Sequence, residues 1–167
     1  MNFNPNDITT LSLIFGVISV ISLYKGLVIP AIVAMLLSYF MDCIDGYYAR
    51  KYNMVTEFGD LYDHIKDVLV FVAYIFVLFK RNKNKLTPKQ WGYAIGVLLF
   101  FLVMSVLYFA CQEKYYNMDK NTLTLAWLSK FVKDKETAEK CLGILRYFGI
   151  GTFIMVVLIF TFWIENK

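Results

Sequence analysis

Apolar runs long enough to cross a bilayer recur from one end of this chain to the other, and they constrain its fold more than any other feature. The first covers about Ile8 to Tyr24, and a second starts near Leu27 and continues through Phe40. Others lie at Val68 to Phe79, Gln90 to Cys111 and Leu142 to Ile164. About 20 apolar residues in a helix match the hydrocarbon thickness of a membrane. Of the 167 residues, 59% are hydrophobic, where a soluble domain is nearer half. Because these residues come in runs, they predict an all-α integral membrane protein and not a buried soluble core.

The helices can be placed from their punctuation. Asn6-Asp7 is a start signal for the first, and Lys25-Gly26 ends it. Pro30 falls in the first turn of the second, where a missing amide donor is tolerated. Arg50-Lys51 closes that helix. The third is expected from Glu57 to Phe79, about 34 Å of helix at 1.5 Å per residue. Lys80 to Lys89 is a basic loop. The fourth covers Gln90 to Cys111, with Gly92 and Gly96 as a small-xxx-small pair. Gln112 to Lys140 holds six Lys and no spanning run. Within it Leu125, Leu128 and Val132 share a face, with Trp127 and Phe131 nearby and Lys130, Lys133 and Lys135 as polar positions, which predicts an interfacial amphipathic helix. The count is five transmembrane helices, or six if a short segment near 121–133 inserts.

Met1 to Asp7 lacks Lys and Arg, and no small-residue cleavage site follows the first run, so that run is expected to be retained as a span. Cys43, Cys111 and Cys141 lack metal-ligand or redox spacing and read as packing residues. The formal charge of +4 fits a basic rim near anionic headgroups. A nucleic-acid partner is not expected, since most of the surface would face lipid. The basic loops on the two sides roughly cancel as orientation signals.

Against this background the acids stand out. Asp42 and Asp45 are three apart near the end of the second helix, and Asp63 and Asp67 are four apart near the start of the third. Each pair shares a helical face. A short connection, about Tyr52 to Thr56, would make the two helices antiparallel neighbours and bring the four carboxylates together at one interface. An ionised Asp at the centre of a membrane helix costs about 2.5–3.5 kcal/mol on insertion scales. Such a group needs neutralising, and an oxygen-rich set suits Mg²⁺, Mn²⁺ or Ca²⁺. Arg50 lies two turns from Asp42 and is placed to pair with a phosphate. Gly46, Ala49 and Gly59 leave room for a ligand against the backbone. Metal-held phosphate beside carboxylates is the usual setting for phosphoryl transfer.

The order Asp42, Asp45-Gly46, Ala49-Arg50, Gly59, Asp63, Asp67 resembles the signature of the CDP-alcohol phosphatidyltransferase family at every fixed position and gap, eight positions over 26 residues. Pro5-Asn6-Asp7-Ile8-Thr9 is similar to a common opening of that family's first membrane helix. The resemblance implies one membrane domain over residues 1–167. It also implies transfer of a phosphate-linked group from a CDP-activated substrate, CDP-diacylglycerol foremost, to an alcohol or lipid acceptor, with release of CMP. By the same resemblance Asp42, Asp45 and Asp63 would hold Mg²⁺ or Mn²⁺. Asp67 would contact a second metal or accept the acceptor's proton. Gly46, Ala49, Arg50 and Gly59 would line the CDP pocket. The active site is expected on the cytoplasmic side, and a homodimer is the family expectation.

The chain departs from the pattern in places. The family core has six spans, against five here. His64 after Asp63 and Val68 after Asp67 depart from many bacterial members, which have Ser or Pro and then Lys at those places, and the Asp63-His64 pair looks like the choline and ethanolamine phosphotransferase branch, in which a CDP-aminoalcohol donates to diacylglycerol. Two other classes compete: an intramembrane cation transporter and a non-catalytic membrane scaffold. The transporter gives no reason for Gly46, Ala49, Arg50 and Gly59. Asp60 reads as a solvated carboxylate or a support for its neighbours, and His64 as an interfacial ring. Lys66 is expected to snorkel to headgroups. Arg146 is expected at the interface, with a phosphate or headgroup as the alternative partner.

Overall fold

A computed structural model describes residues 4–116 and 126–167, which are helical and contain no strand. The elements are α1 (Pro5–Tyr24), α2 (Val28–Lys51), α3 (Glu57–Asn82), α4 (Pro88–Tyr116), a 3-10 turn (Ala126–Phe131), α5 (Lys135–Leu145), a second 3-10 turn (Arg146–Phe148) and α6 (Ile150–Glu165). Among the described residues four segments are long and apolar enough to cross a membrane: Pro5–Tyr24, Val28–Lys51, Pro88–Tyr115 and Lys135–Glu165. The count of five therefore does not follow from length and composition. α3 drops out because Asp60, Asp63, Lys66 and Asp67 interrupt its first half.

The chain groups into two compact units, residues 1–85 with 161–167, and residues 86–160. In the first, α1 packs along α2 and also against α3, whereas α2 and α3 share no comparable backbone packing among the described residues. α2 and α3 thus meet through side chains at Asp42, Asp63, Lys66 and Asp67, and the helix that packs closely against both is α1. The reason lies in its side chains. The buried face of α1 is Thr9, Ser12, Gly16, Ser19, Ser22 and Leu23, while Leu11, Ile14, Val17, Ile18 and Ile21 point outward. Small residues let two backbones approach closely in lipid, where hydrophobicity gives helices no reason to associate. A Cβ built on Gly16 would stand 2.7 Å from Val70 Cγ1 and 3.2 Å from Ser38 Oγ, so this position touches both α3 and α2. Ser12 Oγ donates to the Ser38 carbonyl (2.9 Å), Ser38 Oγ donates to the Ser12 carbonyl (2.8 Å), and Ser19 Oγ donates to the Ala31 carbonyl (2.7 Å).

Local signals explain the helix ends. α1 begins three residues earlier than Ile8. Asn4 caps it, accepting from the Asn6 amide, while Asp7 accepts from the Asn4 amide, and Pro5 takes the first position. Gly26, with φ at +80°, turns the chain into α2. Thr56 caps α3 by accepting from the Gly59 amide. Thr87 and Gln90 cap α4 reciprocally.

Away from the acids, the first unit is closed by a second polar group. Arg81 donates from Nε and Nη2 to the two carboxylate oxygens of Glu165, both at 3.1 Å, and from Nη1 to the Tyr24 carbonyl. Asn82 Nδ2 donates to Glu165 Oε1 at 2.7 Å, and Lys85 Nζ donates to the carbonyls of Ile164 and Glu165. Between the two polar groups, the buried Tyr74 hydroxyl donates to Thr161 Oγ1.

In the second unit, Ala110, Cys111, Leu128, Val132 and Ala138 form a core, with Cys141 packed against it. Leu128 and Val132 are buried while Trp127, Lys130, Phe131 and Lys133 are exposed, so the amphipathic pattern holds, although the described part is a 3-10 turn packed on α4. Leu125 and the rest of the 117–125 stretch, including residues 121–125 of the conditional sixth span, lie outside the described residues. Cys111 and Cys141 are packing residues as expected, whereas Cys43 is exposed. The last apolar run is not one helix. It breaks at Arg146–Phe148, and Gly149 is extended (ψ 173°) before α6 resumes. Gly92 and Gly96 face open space among the described residues, so their small surfaces serve no helix contact within this chain there.

Candidate active site

α2 carries Asp42 and Asp45, one turn apart. α3 carries Asp63 and Asp67, also one turn apart, with Lys66 between them. Carboxylate oxygens of Asp42, Asp63 and Asp67 lie within 4.8 Å of one another. Three of the four acids that the spacing singled out thus meet. Asp45 does not join that trio. It is buried at 4% exposure, and its Oδ2 has no hydrogen-bond partner among the described residues. Asp63 Oδ1 likewise accepts no well-directed hydrogen bond. Buried acceptors left open are expensive in a protein interior unless the chemistry of the site uses them.

What joins the trio is Lys66. Its side chain is 1% exposed, and its ammonium pairs with Asp42 Oδ1, with Asp63 Oδ1 at 3.0 Å and with Asp67 Oδ1 at 2.8 Å. It also donates to Ser12 Oγ at 3.1 Å. The reading of Lys66 as a snorkelling side chain is therefore wrong. Lys66 lies on the buried stripe of α3 with Val70, Tyr74 and Val77, the stripe that faces inward, so its stem cannot reach headgroups from there. A lysine three residues after Asp63 was the available signal, since side chains three apart on a helix are neighbours. Ser12 was also missed, because a serine inside an apolar run carries no chemical signature of its own.

The exposures grade across the site. Asp42 and Asp63 are partly covered, with side chains 20% and 27% exposed, and Asp67 is open at 51%. Around them, Arg50 folds back along α2. A Cβ on Gly46 would stand 3.3 Å from both terminal guanidinium nitrogens, so the missing side chain makes room for Arg50. Ala49 is partly buried, and its carbonyl accepts from the Met54 amide to end the helix. Gly59 sits where a Cβ would come within 2.9 Å of Asn6 Oδ1 and 3.0 Å of Thr56 Oγ1. Its smallness fits α3 against the start of α1. Close by, the Thr10 and Tyr62 hydroxyls lie 3.3 Å apart.

His64 Nδ1 is 2.7 Å from the Asp60 carbonyl oxygen. An oxygen of that kind only accepts, so Nδ1 carries the proton. Asp60 approaches the same ring at 3.7 Å. In the second unit, Arg146 donates from Nη2 to the Tyr147 hydroxyl at 2.8 Å and lies over that ring.

The donor set is hard: carboxylate oxygens, with no histidine or thiolate among the trio. Three such groups, with the unpartnered Oδ2 of Asp45 one turn from Asp42, fit a hard divalent cation.

The model of the family described as CDP-alcohol phosphatidyltransferase matches residues 2–166. Among individual relatives, the CDP-diacylglycerol--glycerol-3-phosphate 3-phosphatidyltransferase of Rickettsia felis is 49% identical over 41 residues, 25% of this chain and 23% of that protein. Its namesake in Bacillus subtilis is 49% identical over 37 residues, 22% of this chain and 19% of the relative. The Mycoplasma pneumoniae protein of the same name is 32% identical over 73 residues, 44% of this chain and 30% of the relative. The chain thus matches about a quarter of the length of the first of these relatives. No solved structure matches it. With nearly its whole length matched by the family model, the chain belongs to the CDP-alcohol phosphatidyltransferase family.

Proposed function

We propose that this member of the CDP-alcohol phosphatidyltransferase family transfers the phosphatidyl group of CDP-diacylglycerol to an alcohol and releases CMP, as a step of phospholipid synthesis. The meeting of Asp42, Asp63 and Asp67 in one site carries the reading. The printed names of the relatives point to glycerol-3-phosphate as the acceptor to test first. Residues 1–167 then act as one family domain in the membrane, with α3 as a further crossing whose charged half faces α1 instead of lipid.

The chemistry follows from the charges. The acceptor hydroxyl attacks the β-phosphorus of the donor, the bond from that phosphorus to the bridging oxygen breaks, and CMP leaves. Asp67 is the most open of the trio, so it is the group placed to take the hydroxyl proton. Asp42, Asp45 and Asp63, with Asp67, would hold Mg²⁺ or Mn²⁺. Bound there, such an ion would offset the negative charge of the pyrophosphate. Arg50 would pair with a donor phosphate after swinging off Gly46, Gly46 and Ala49 would then leave space for the nucleotide, and Gly59 would border that space once the Asn6 side chain turns aside. Because CDP-linked donors and CMP are water-soluble at the nucleotide end, the site belongs at an interface, the cytoplasmic one on this reading. A homodimer is proposed on family grounds.

The alternative donors, CDP-choline and CDP-ethanolamine with diacylglycerol as acceptor, rest on the Asp63-His64 pair alone. Protein in liposomes would be given each labelled donor with Mg²⁺ or Mn²⁺ and a panel of acceptors, and CMP and lipid products read by mass. Phosphatidyl product from CDP-diacylglycerol is the expected result. Product only from the aminoalcohol donors would shift the assignment to the second reading. Absence of product with every donor, together with cation flux across the same liposomes, would move it to the transporter class.

A further inference from the structure

We propose that Lys66 is a tethered cation that competes with divalent metal for Asp42, Asp63 and Asp67, and that metal loading requires its ammonium to leave. This rests on the metal-binding role proposed above for the three carboxylates. The ammonium contacts one oxygen of each acid, and Ser12 Oγ takes another of its hydrogen bonds. An ammonium has three N–H donors, so its capacity is filled inside this site. Mg²⁺ binds carboxylate oxygens at about 2.0–2.1 Å. An ion held by the same oxygens would lie so close to the present position of Nζ that the two cations would repel strongly in a covered setting. The formal charges make the competition an exchange. Three carboxylates and one ammonium sum to −2, and replacing the ammonium by one divalent ion brings the group to −1.

The competition has a structural benefit. Three carboxylates between helices would repel one another without a cation, and Lys66 keeps the site assembled while metal is absent. It also fixes the sign of a charge deletion. Removing the ammonium relieves repulsion between two cations and frees the oxygens it occupies. Removal should therefore strengthen metal binding.

The test uses the full chain in detergent micelles with Mn²⁺ as the probe, counting free and bound ion by electron paramagnetic resonance. Lys66→Met keeps the stem and deletes the charge, and it should bind Mn²⁺ at least tenfold more tightly than the wild type. Equal or weaker binding by a folded Lys66→Met would overturn the competition, and wild-type Mn²⁺ binding would then leave the metal reading standing. No Mn²⁺ binding by either protein would overturn both. A second measurement needs no variant. Wild-type protein is treated with acetic anhydride with and without Mn²⁺, and the peptide containing Lys66 is read by mass. Displacement should raise acetylation of Lys66 at least tenfold, and unchanged protection on Mn²⁺ addition would overturn the proposal even if Lys66→Met fails to fold.

Discussion

Two polar clusters occupy α3, about 22 Å apart along the helix axis at 1.5 Å per residue from Lys66 to Arg81, and they are built on opposite charge balances. Around Glu165, one carboxylate faces Arg81 and Lys85, with Asn82 adding a neutral donor, and the cations reach on to main-chain carbonyls of Tyr24, Ile164 and Glu165. Every charge there is spent on holding chain ends together. Around Lys66, one ammonium faces three carboxylates, with Asp45 buried nearby in the chain and its Oδ2 left without a hydrogen-bond partner among the described residues. A cluster built only for stability has no reason to gather surplus like charge in a covered place. The difference teaches that the first is a clasp and the second a site short of positive charge, which a metal and a phosphate chemistry would use.

The sharpest way to break this contrast is to remove one acid from each cluster. Asp67→Asn should lower product formation by about 10²–10⁴-fold, the usual range for a general base, with thermal unfolding in micelles little changed. Wild-type activity in Asp67→Asn would erase the distinction. Glu165→Gln should do the reverse. Hydrogen bonds to charged groups are worth about 1.5–3 kcal/mol, so this change should cost about 2–3 kcal/mol in unfolding experiments. Turnover per folded molecule should stay near wild type at low temperature. A pure activity defect with unchanged stability would show that the clasp belongs to the site.

Smaller effects sharpen the role of α1, the helix that positions both clusters' elements. Gly16→Val should cost about 1–3 kcal/mol, the usual range for overpacking, because even a Cβ there stands 2.7 Å from Val70. Its melting temperature should fall, and no fall would mean that α1 and α3 are not pressed together at this point. Ser12→Ala removes one rung of the Ser12–Ser38 pair and an acceptor for Lys66. Interhelical hydrogen bonds in membranes average about 0.6 kcal/mol, so a small drop in melting temperature is expected. A loss several times larger would mark Ser12 as a keystone of the site.

These residues also show what the sequence could and could not convey. Helix positions were legible where composition and punctuation agreed: Pro30 lies near the start of α2 and Glu57 opens α3 as expected, whereas α3 runs on to Asn82 and α4 starts at Pro88, two residues before Gln90, so both enter the expected basic loop. The gathering of Asp42, Asp63 and Asp67 was legible because Asp63 and Asp67 are one turn apart and the short connection after α2 brings Asp42 back towards them. The central place of α1 was not, since Thr9, Ser12, Gly16 and Ser19 look incidental inside an apolar run, yet their smallness decides which helices touch. The separation of Asp45 from the trio depends on how far α2 and α3 stand apart, which sequence spacing does not encode. The direction of Lys66 was misread because snorkelling assumes a lipid-facing stem, and the inward stripe of α3 includes position 66. The break at Arg146–Phe148 was masked by the hydropathy of the run, with Gly149 as the one local hint.

The most direct test of the central claim is a single reconstitution. Purified protein in liposomes would receive CDP-diacylglycerol, glycerol-3-phosphate and Mg²⁺ or Mn²⁺, with Asp67→Asn in parallel. The account predicts CMP and a phosphatidyl product from the wild type and a loss of at least 100-fold in the variant. Equal product from both proteins, or none from the wild type with any CDP-linked donor and alcohol, would contradict it.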